Sequence, residues 1–143
     1  MKKLVYASVI LMGSMITSCA PDKTDDPNAP TPSVDARDKY VAYWNVSENS
    51  AVAGTNTHTV NVTKSTTNSN EIILNNFSGL SVSARASVSN NILTIPYQTI
   101  GSPNPIGFTK GSGTMNSANN SIVMTYTTTI SSSPDSCTAT YTK

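Results

Sequence analysis

Apolar and polar residues alternate with a period of two along most of the chain after residue 34, and this alternation limits the possible folds more than any other feature. The clearest run places apolar side chains at even positions, at Leu80, Val82, Ala84, Ala86 and Val88. A period of two matches the alternating faces of a β-strand, and no segment sustains the 3.6-residue period of a helix. The sequence therefore predicts β-strands and no long helix.

Clusters of Gly, Pro, Asn and Ser divide the alternating runs into eight predicted strands. These strands cover residues 39–48, 57–64, 71–76, 80–89, 92–100, 106–115, 121–130 and 136–142. Regular spacing with short connections predicts an all-β, antiparallel meander. We expect an eight-stranded up-and-down barrel, because closure buries the apolar face and removes both sheet edges. A two-sheet β-sandwich is the alternative.

The first 18 residues have the layout of a cleaved export signal. Lys2 and Lys3 precede an apolar run over residues 4–16, which is shorter than the roughly 20 residues that a membrane-spanning helix needs. The sequence Ile16-Thr17-Ser18-Cys19 resembles the lipobox of bacterial lipoproteins, in which the cysteine sulfur receives a diacylglycerol before cleavage. The resemblance implies lipidation of Cys19, and therefore a protein held on a membrane without spanning it. Plain secretion is the alternative.

Residues 19–33 comprise this cysteine and a polar tether that contains four prolines. Such a composition offers little to bury and predicts an extended, disordered linker. The acidic stretch at residues 22–26 resembles the signal that sends Bacteroidota lipoproteins to the outer face of the outer membrane, although a solvated linker explains it equally well. We expect the protein to be lipid-anchored at the outer membrane, on either its outer or its periplasmic face. Residues 34–143 then form a single β-barrel domain.

Charge and cysteine content exclude several functions. Charged residues make up 12% of the chain, and the formal net charge is +1, so nothing attracts nucleic acid electrostatically and we expect no such partner. Once Cys19 is lipidated, Cys137 has no disulfide partner in the chain. We expect Cys137 to be an inert, half-buried thiol rather than a nucleophile.

Both ends of the predicted domain resemble one family. Residues 35–48 (DARDKYVAYWNVSE) and 137–143 (CTATYTK) are similar to the opening and closing strands of the small lipocalin-like, or calycin-like, lipoproteins of Bacteroidota. The resemblance implies a compact β-barrel on the cell exterior, and it brings no activity with it. Two departures stand out. Ala42 stands where members of that family usually have a Gly in the first strand. Asn49 and Ser50 stand where they often have a cysteine that can pair with the cysteine of the last strand.

Three large aromatic residues at predicted inward positions are candidates for ligand binding, namely Tyr40, Trp44 and Tyr126. In lipocalins, which this chain resembles, a Trp such as Trp44 plugs the closed end of the barrel, often beneath an arginine. Arg37 or Arg85 could take that role here.

The sequence offers no recognisable catalytic, metal or cofactor set. His58 is the sole histidine, and we expect it at the surface near a strand end. Most of the domain's carboxylates lie near turns or strand ends, with no pair spaced to act on one substrate: Asp35, Asp38, Glu48, Glu71 and Asp135. Residues 107–113 contain three glycines and a lysine but lack a phosphate-loop ending, so we expect a bulge or bend there. We expect no enzymatic activity and no cofactor.

Two functions follow from the predicted barrel. Inward positions mix large residues with small ones, such as Ala84 and Ala86, which permits a cavity for one small apolar or amphipathic ligand. The competing hypothesis is a solid barrel that serves as a structural or interaction module, contacting a protein or glycan through exposed aromatics such as Tyr43 and Tyr97. We expect a monomer in either case.

Overall fold

A computed structural model describes residues 33–143, in which eight strands pair in chain order and close into a barrel. The strands are β1 Ala42–Ser50, β2 Gly54–Lys64, β3 Glu71–Phe77, β4 Val82–Ser89, β5 Ile92–Ile100, β6 Gly107–Met115, β7 Ser121–Ile130 and β8 Ser133–Thr142. All neighbouring pairs are antiparallel, and β1 also pairs with β8. The predicted up-and-down barrel is confirmed, and the alternative of a β-sandwich is wrong.

The start of β1 differs from the predicted boundary, because residues 38–40 are not part of the strand. Asp38–Tyr40 forms a short 3₁₀ helix, preceded by a turn in which the Asp35 carboxylate accepts the Arg37 backbone N–H at 2.9 Å. Tyr40 therefore reaches the interior from this helix rather than from a strand. The strand itself begins at Ala42, whose half-buried methyl packs against the core.

Side chains fill most of the barrel interior, as expected for eight strands. The largest fully buried side chains include Trp44, Tyr40, Tyr141, Phe77, Ile72 and Leu74. Met124, Tyr126, Ala84 and Ala86 are also buried, so Tyr40, Trp44, Tyr126 and the two alanines point inward as predicted, whereas Leu80, at the start of the clearest alternating run, is 38% exposed. The even spacing of these residues along each strand places them on one face, and their burial supplies the main stabilisation of the fold.

Strand β6 is regular where a bulge was expected. Its ladder with β7 runs without interruption from Gly107 to Met115, and the register shift lies instead on β5, between Ile95 and Gln98. The glycines of β6 allow close packing, since a Cβ at Gly111 would overlap the main chain and Cβ of Tyr126. A bulge therefore does lie beside residues 107–113, between the pairs Ile95–Gly111 and Gln98–Thr109, but its extra residue is on β5. The expectation that the glycines themselves form it was wrong, because they serve close strand approach.

The barrel has two distinct ends. The helix end carries Asp38–Tyr40 and the turns at residues 65–70, 90–91 and 116–120, and the pocket end carries the turns at residues 51–53, 78–81, 101–106 and 131–132. The predicted export signal over residues 1–18, the predicted lipidation site Cys19 and the predicted tether up to residue 32 lie outside the described residues. Within residues 33–143, no helix is long and apolar enough to cross a bilayer.

Candidate functional site

Trp44 closes the helix end of the barrel. Its side chain is fully buried, and the indole Nε1 donates a hydrogen bond of 2.8 Å to the Tyr40 carbonyl oxygen. The Lys143 ammonium lies 4.6 Å from the centroid of the indole ring and also donates to the Lys39 carbonyl oxygen at 2.9 Å. The polar edge of the indole and one of its faces are thus both occupied by protein groups.

The expectation of an arginine above Trp44 was wrong. The Arg37 guanidinium pairs with the Asp35 carboxylate at 2.8 Å and holds the pKa of that carboxyl below its usual range through hydrogen bonds. It also donates to three carbonyl oxygens around the β2–β3 connection, those of Ser65, Asn68 and Glu71. Arg85 is exposed on the outer wall. Arg37 therefore stabilises the β2–β3 connection, and the residue over the Trp44 indole is Lys143.

A pocket of about 320 Å³ opens at the pocket end. The turns β1–β2, β3–β4 and β7–β8 surround its mouth, and strands β1, β7 and β8 supply its deeper wall. Its lining residues are Glu48, Ser50, Val52, Ala53, Asn56, Ser78, Leu80, Thr128, Ile130, Ser133 and Asp135. The floor is polar and buried, since Glu48 is 4% exposed and Thr128 is 3% exposed, whereas at the rim Val52 is 71% exposed and Leu80 is 38% exposed.

Glu48 lies at the centre of four interacting side chains, which we call the Glu48 cluster: Glu48, His58, Ser78 and Tyr126. Ser78 Oγ donates to Glu48 Oε1 at 2.8 Å, and the Tyr126 hydroxyl donates to Glu48 Oε2. His58 Nε2 lies 3.9 Å from Glu48 Oε2. Burial and the hydrogen bond to Glu48 raise the pKa of Tyr126 well above its usual value, which keeps the phenol a donor. These bonds fix the buried carboxylate in one position.

The prediction of a surface position for His58 was wrong. Its side chain is only 8% exposed, and the β3–β4 turn covers it so closely that a Cβ at Gly79 would lie 3.3 Å from His58 Cγ. Neither ring nitrogen has a hydrogen-bond partner among the described residues. Burial lowers the pKa of His58, and the opposing effect of Glu48 is smaller. The imidazole is therefore held neutral beside the carboxylate at neutral pH.

Asp135 is the second carboxylate of the pocket. It accepts the Ser50 hydroxyl at 2.6 Å and the Val52 backbone N–H at 3.2 Å, and Ser50 Oγ in turn accepts from Ala53 N at 2.7 Å. These bonds hold the β1–β2 turn against the start of β8. The two carboxylates, 87 positions apart in sequence (135 − 48), thus line one pocket, which contradicts the expectation that no two would share a site.

Cys137 lies beside the same region as a buried free thiol. Burial, together with the negative charges of Glu48 and Asp135, raises the pKa of the Cys137 thiol to about 12. A thiol protonated at neutral pH is a poor nucleophile, which supports the expectation of an inert residue. Within residues 33–143, no three His, Cys, Asp or Glu side chains are close enough to bind a metal ion.

The outer wall carries a separate aromatic feature. Tyr97 and Phe108 stack with ring centroids 5.3 Å apart and planes 8° apart, and both are exposed. Tyr97 also borders a shallow groove of about 590 Å³ that crosses β6, β7 and β8. Hydroxyl side chains and Lys110 line most of this groove, at Ser112, Thr125, Thr127, Ser136 and Thr138.

The residues predicted as ligand contacts lie away from the pocket lining. Tyr40 and Trp44 are at the helix end, and Tyr126 reaches the pocket only through its bond to Glu48. Their contact with a ligand stays a prediction. The residues that sequence reasoning missed, Glu48 and His58, continue the inward alternation of their own strands. Their even positions were the available signal.

Comparisons with known proteins do not assign a family. No family model matches the chain, and no curated protein matches it. Among solved structures, the chain is similar to a redesigned β-barrel with 12% sequence identity and a TM-score of 0.48, over 79% of this chain and 98% of that one. A likeness at this level carries no information on function.

Proposed function

We propose that the protein is an exported lipoprotein, anchored at the outer membrane through Cys19, whose lipocalin-like barrel binds one small amphipathic molecule at the pocket end. The observation that carries this proposal is the 320 Å³ pocket, which combines an apolar rim with buried polar groups at its floor. Ligand sites typically pair apolar walls with a few well-placed polar groups.

The size of the pocket limits its ligand. Ligand pockets commonly measure about 300–1,000 Å³, so this one is near the lower limit. Beneath it the interior is occupied by packed side chains, including Phe77 and Tyr126, whose ring centroids lie 4.7 Å apart. The ligand is therefore a small molecule, or one end of a larger molecule that extends out past the rim.

Native mass spectrometry tests ligand binding directly. We expect the purified protein, after exposure to an organic extract of the producing cells, to carry a discrete added mass that disappears on denaturation. Leu80→Arg places a bulky charge at the rim and should abolish the added mass. Val123→Arg, on the outer wall, is the matched control and should leave it intact. Bare wild-type protein, under conditions that load a known lipocalin, would refute the carrier function.

The proposed anchor rests on the lipobox-like sequence that ends at Cys19. We expect cells fed an alkyne-tagged fatty acid to label the wild-type protein, and we expect that protein to fractionate with membranes. Cys19→Ser should lose both the label and the membrane association, whereas Cys137→Ser should keep both. Equal labelling of wild type and Cys19→Ser would leave plain secretion as the better explanation.

A second candidate function is an interaction module without a small ligand, and the exposed stack of Tyr97 and Phe108 favours it. Stacked aromatics beside hydroxyl groups suit partner contacts, because their rings are rigid and amphipathic. Tyr97→Ser combined with Phe108→Ser should abolish binding to a glycan array, whereas Tyr43→Ser, on the exposed face of β1, should not. No binding by the wild type would argue against a glycan partner.

We propose no enzymatic activity and no nucleic-acid partner. We also propose a monomer, because a closed barrel leaves no free strand edge through which a second copy could extend the sheet. Size-exclusion chromatography with light scattering tests the oligomeric state.

A further inference from the structure

We propose that the pocket selects a cationic amphiphile, a molecule with a primary ammonium group that enters first and an apolar body that faces the rim. This inference rests on the proposed binding function and names its ligand class. Three observations carry it: the charge of the lining, an unpartnered hydroxyl at the floor, and the change from polar to apolar surface along the pocket.

The pocket lining is acidic and has no basic residue to balance it. Glu48 and Asp135 both line the pocket, and no Lys, Arg or His is among its lining residues within the described chain. Glu48 is almost completely buried, where an uncompensated negative charge is costly. His58, at 3.9 Å, does not compensate this charge because burial favours its neutral form. A bound cation would offset that cost.

The hydroxyl of Thr128 provides the second observation. Thr128 is 3% exposed and lines the pocket, and its Oγ1 has no hydrogen-bond partner among the described residues. Buried hydroxyl groups are nearly always paired, so an unpaired one on a residue that lines a pocket indicates a polar ligand group. The hydroxyl can accept a hydrogen bond from a donor that enters the pocket.

The acceptors at the pocket match the donors of an ammonium group. Each oxygen of Glu48 and of Asp135 accepts one protein hydrogen bond, and a carboxylate oxygen can accept about two. Spare capacity therefore remains on both carboxylates and on Thr128. A primary ammonium brings three donors and no acceptor, whereas a ligand carboxylate would bring only acceptors and a second negative charge.

The burial gradient sets the orientation of the ligand. The charged and hydroxyl groups of Glu48 and Thr128 lie at the buried floor, and the exposed rim presents the apolar side chains of Val52 and Leu80 beside the polar Asn56 and Ser133. An amphiphile that follows this gradient enters with its ammonium group towards the barrel interior, and its hydrocarbon covers the rim.

A series of three probes with the same hydrocarbon separates this inference from the proposed function. Hexylamine, 1-hexanol and hexanoate would be titrated by calorimetry at pH 7.5, where an alkylamine with a pKa near that of lysine, about 10.4, is protonated. We expect hexylamine to bind at least tenfold more tightly than 1-hexanol, and hexanoate to bind least. Two-dimensional NMR should place the largest shifts in the turns at residues 51–53, 78–81 and 131–132.

Two neutral variants test the origin of the preference. Glu48→Gln and Asp135→Asn should each reduce the ratio of hexylamine to 1-hexanol affinity several-fold while leaving 1-hexanol binding nearly unchanged. Lys110→Ala, on the outer wall, is the control and should change neither. Because Glu48→Gln alters a buried network and could disturb folding, the half-buried Asp135 and the wild-type probe series keep the test independent of that variant.

The outcomes are distinct. Preference for hexylamine that both neutral variants weaken would support the inference. Equal or tighter binding of 1-hexanol at the same turns would overturn the cationic ligand but leave the proposed carrier function standing. No binding of any of the three probes would count against both the inference and the proposed pocket.

Discussion

Trp44 stabilises the helix end through burial, a hydrogen bond to the Tyr40 carbonyl and contact with the Lys143 ammonium. Its removal leaves a cavity that the surrounding barrel cannot fill by relaxation, because closed ladders on both sides restrict β1. Truncation of a buried Trp to Ala typically costs about 3–5 kcal/mol.

We therefore expect Trp44→Ala to lower the free energy of unfolding by about 3–5 kcal/mol, measured by urea denaturation followed by circular dichroism. Tyr43→Ala is the matched control, because the Tyr43 side chain, next to Trp44 in the strand, points outward and is exposed. Its free energy of unfolding should stay within about 0.5 kcal/mol of wild type. A similar, small loss in both variants would contradict the assignment of Trp44 to the core.

His58 makes stability dependent on pH. Its ordinary pKa is about 6.5, and burial lowers this pKa in the folded barrel, so the unfolded chain binds the proton more readily. Stability is therefore fully present above pH 6.5 and is lost as the pH falls below it towards the lowered pKa. One proton limits the slope to about 1.4 kcal/mol per pH unit.

Urea denaturation of the wild type at pH 8, 7, 6 and 5.5 should show this decline. His58→Gln removes the sole histidine and should flatten the profile over this range, even if its stability at pH 8 is lower. Parallel pH profiles for wild type and variant would show that another group is responsible.

At the scale of strands, β6 and β7 approach each other unusually closely. Gly111 pairs with Tyr126 across the ladder, and Tyr126 folds inward to reach Glu48. A methyl group at position 111 would overlap the Thr125 carbonyl oxygen and the main chain of Tyr126, so the strands would have to separate.

Gly111→Ala should therefore destabilise the barrel by about 1–3 kcal/mol through overpacking, and the displaced Tyr126 should weaken its bond to Glu48. Thermal unfolding measures the first effect, and the chemical shift of the Tyr126 ring measures the second. Ser112→Ala, the next residue on the exposed face, should change neither. If Gly111→Ala is neutral in both measurements, the glycine is not needed for close packing.

Whether an element could be predicted depends on how far apart in the sequence the residues that stabilise it lie. All eight strands could be predicted because alternation and turn residues are local signals, and β4 and β7 show both clearly. The 3₁₀ helix Asp38–Tyr40 was missed because the bonds of Asp35 override the alternation there. The pocket was missed because closure of the barrel brings Glu48 close to Asp135 and Ser78, which are remote from it in sequence. Glu48 and His58 continue the inward alternation of β1 and β2, but their polar character favoured a position at the surface or near a turn, so both were missed.

At the scale of the whole molecule, the barrel closes at the seam between β1 and β8. Ser50 lies directly opposite Cys137 in this ladder, and the neighbouring hydrogen bond from Ala51 N to Ser136 O at 3.0 Å makes Ser50 and Cys137 a non-hydrogen-bonded pair. Cα atoms of such pairs are about 4.5 Å apart, within the range of about 4.4–6.8 Å that a disulfide spans. The seam can therefore accept a disulfide between positions 50 and 137.

Ser50→Cys, made in a Cys19→Ser background so that Cys137 is the sole partner, should form this disulfide under oxidising conditions. A bridge from position 50 to position 137 closes a long loop and constrains the unfolded chain by about 4–5 kcal/mol. The substitution also removes the hydrogen bonds of Ser50 to Asp135 and the β1–β2 turn, at about 0.5–1.5 kcal/mol each. We expect the free energy of unfolding to rise by about 1–3 kcal/mol when the pair is oxidised and to fall below wild type when it is reduced.

Urea denaturation with and without dithiothreitol measures this change of sign, and Ser50→Ala should be as stable as the reduced form. Thiols that stay free after oxidation would show that the seam is more widely separated than the ladder indicates.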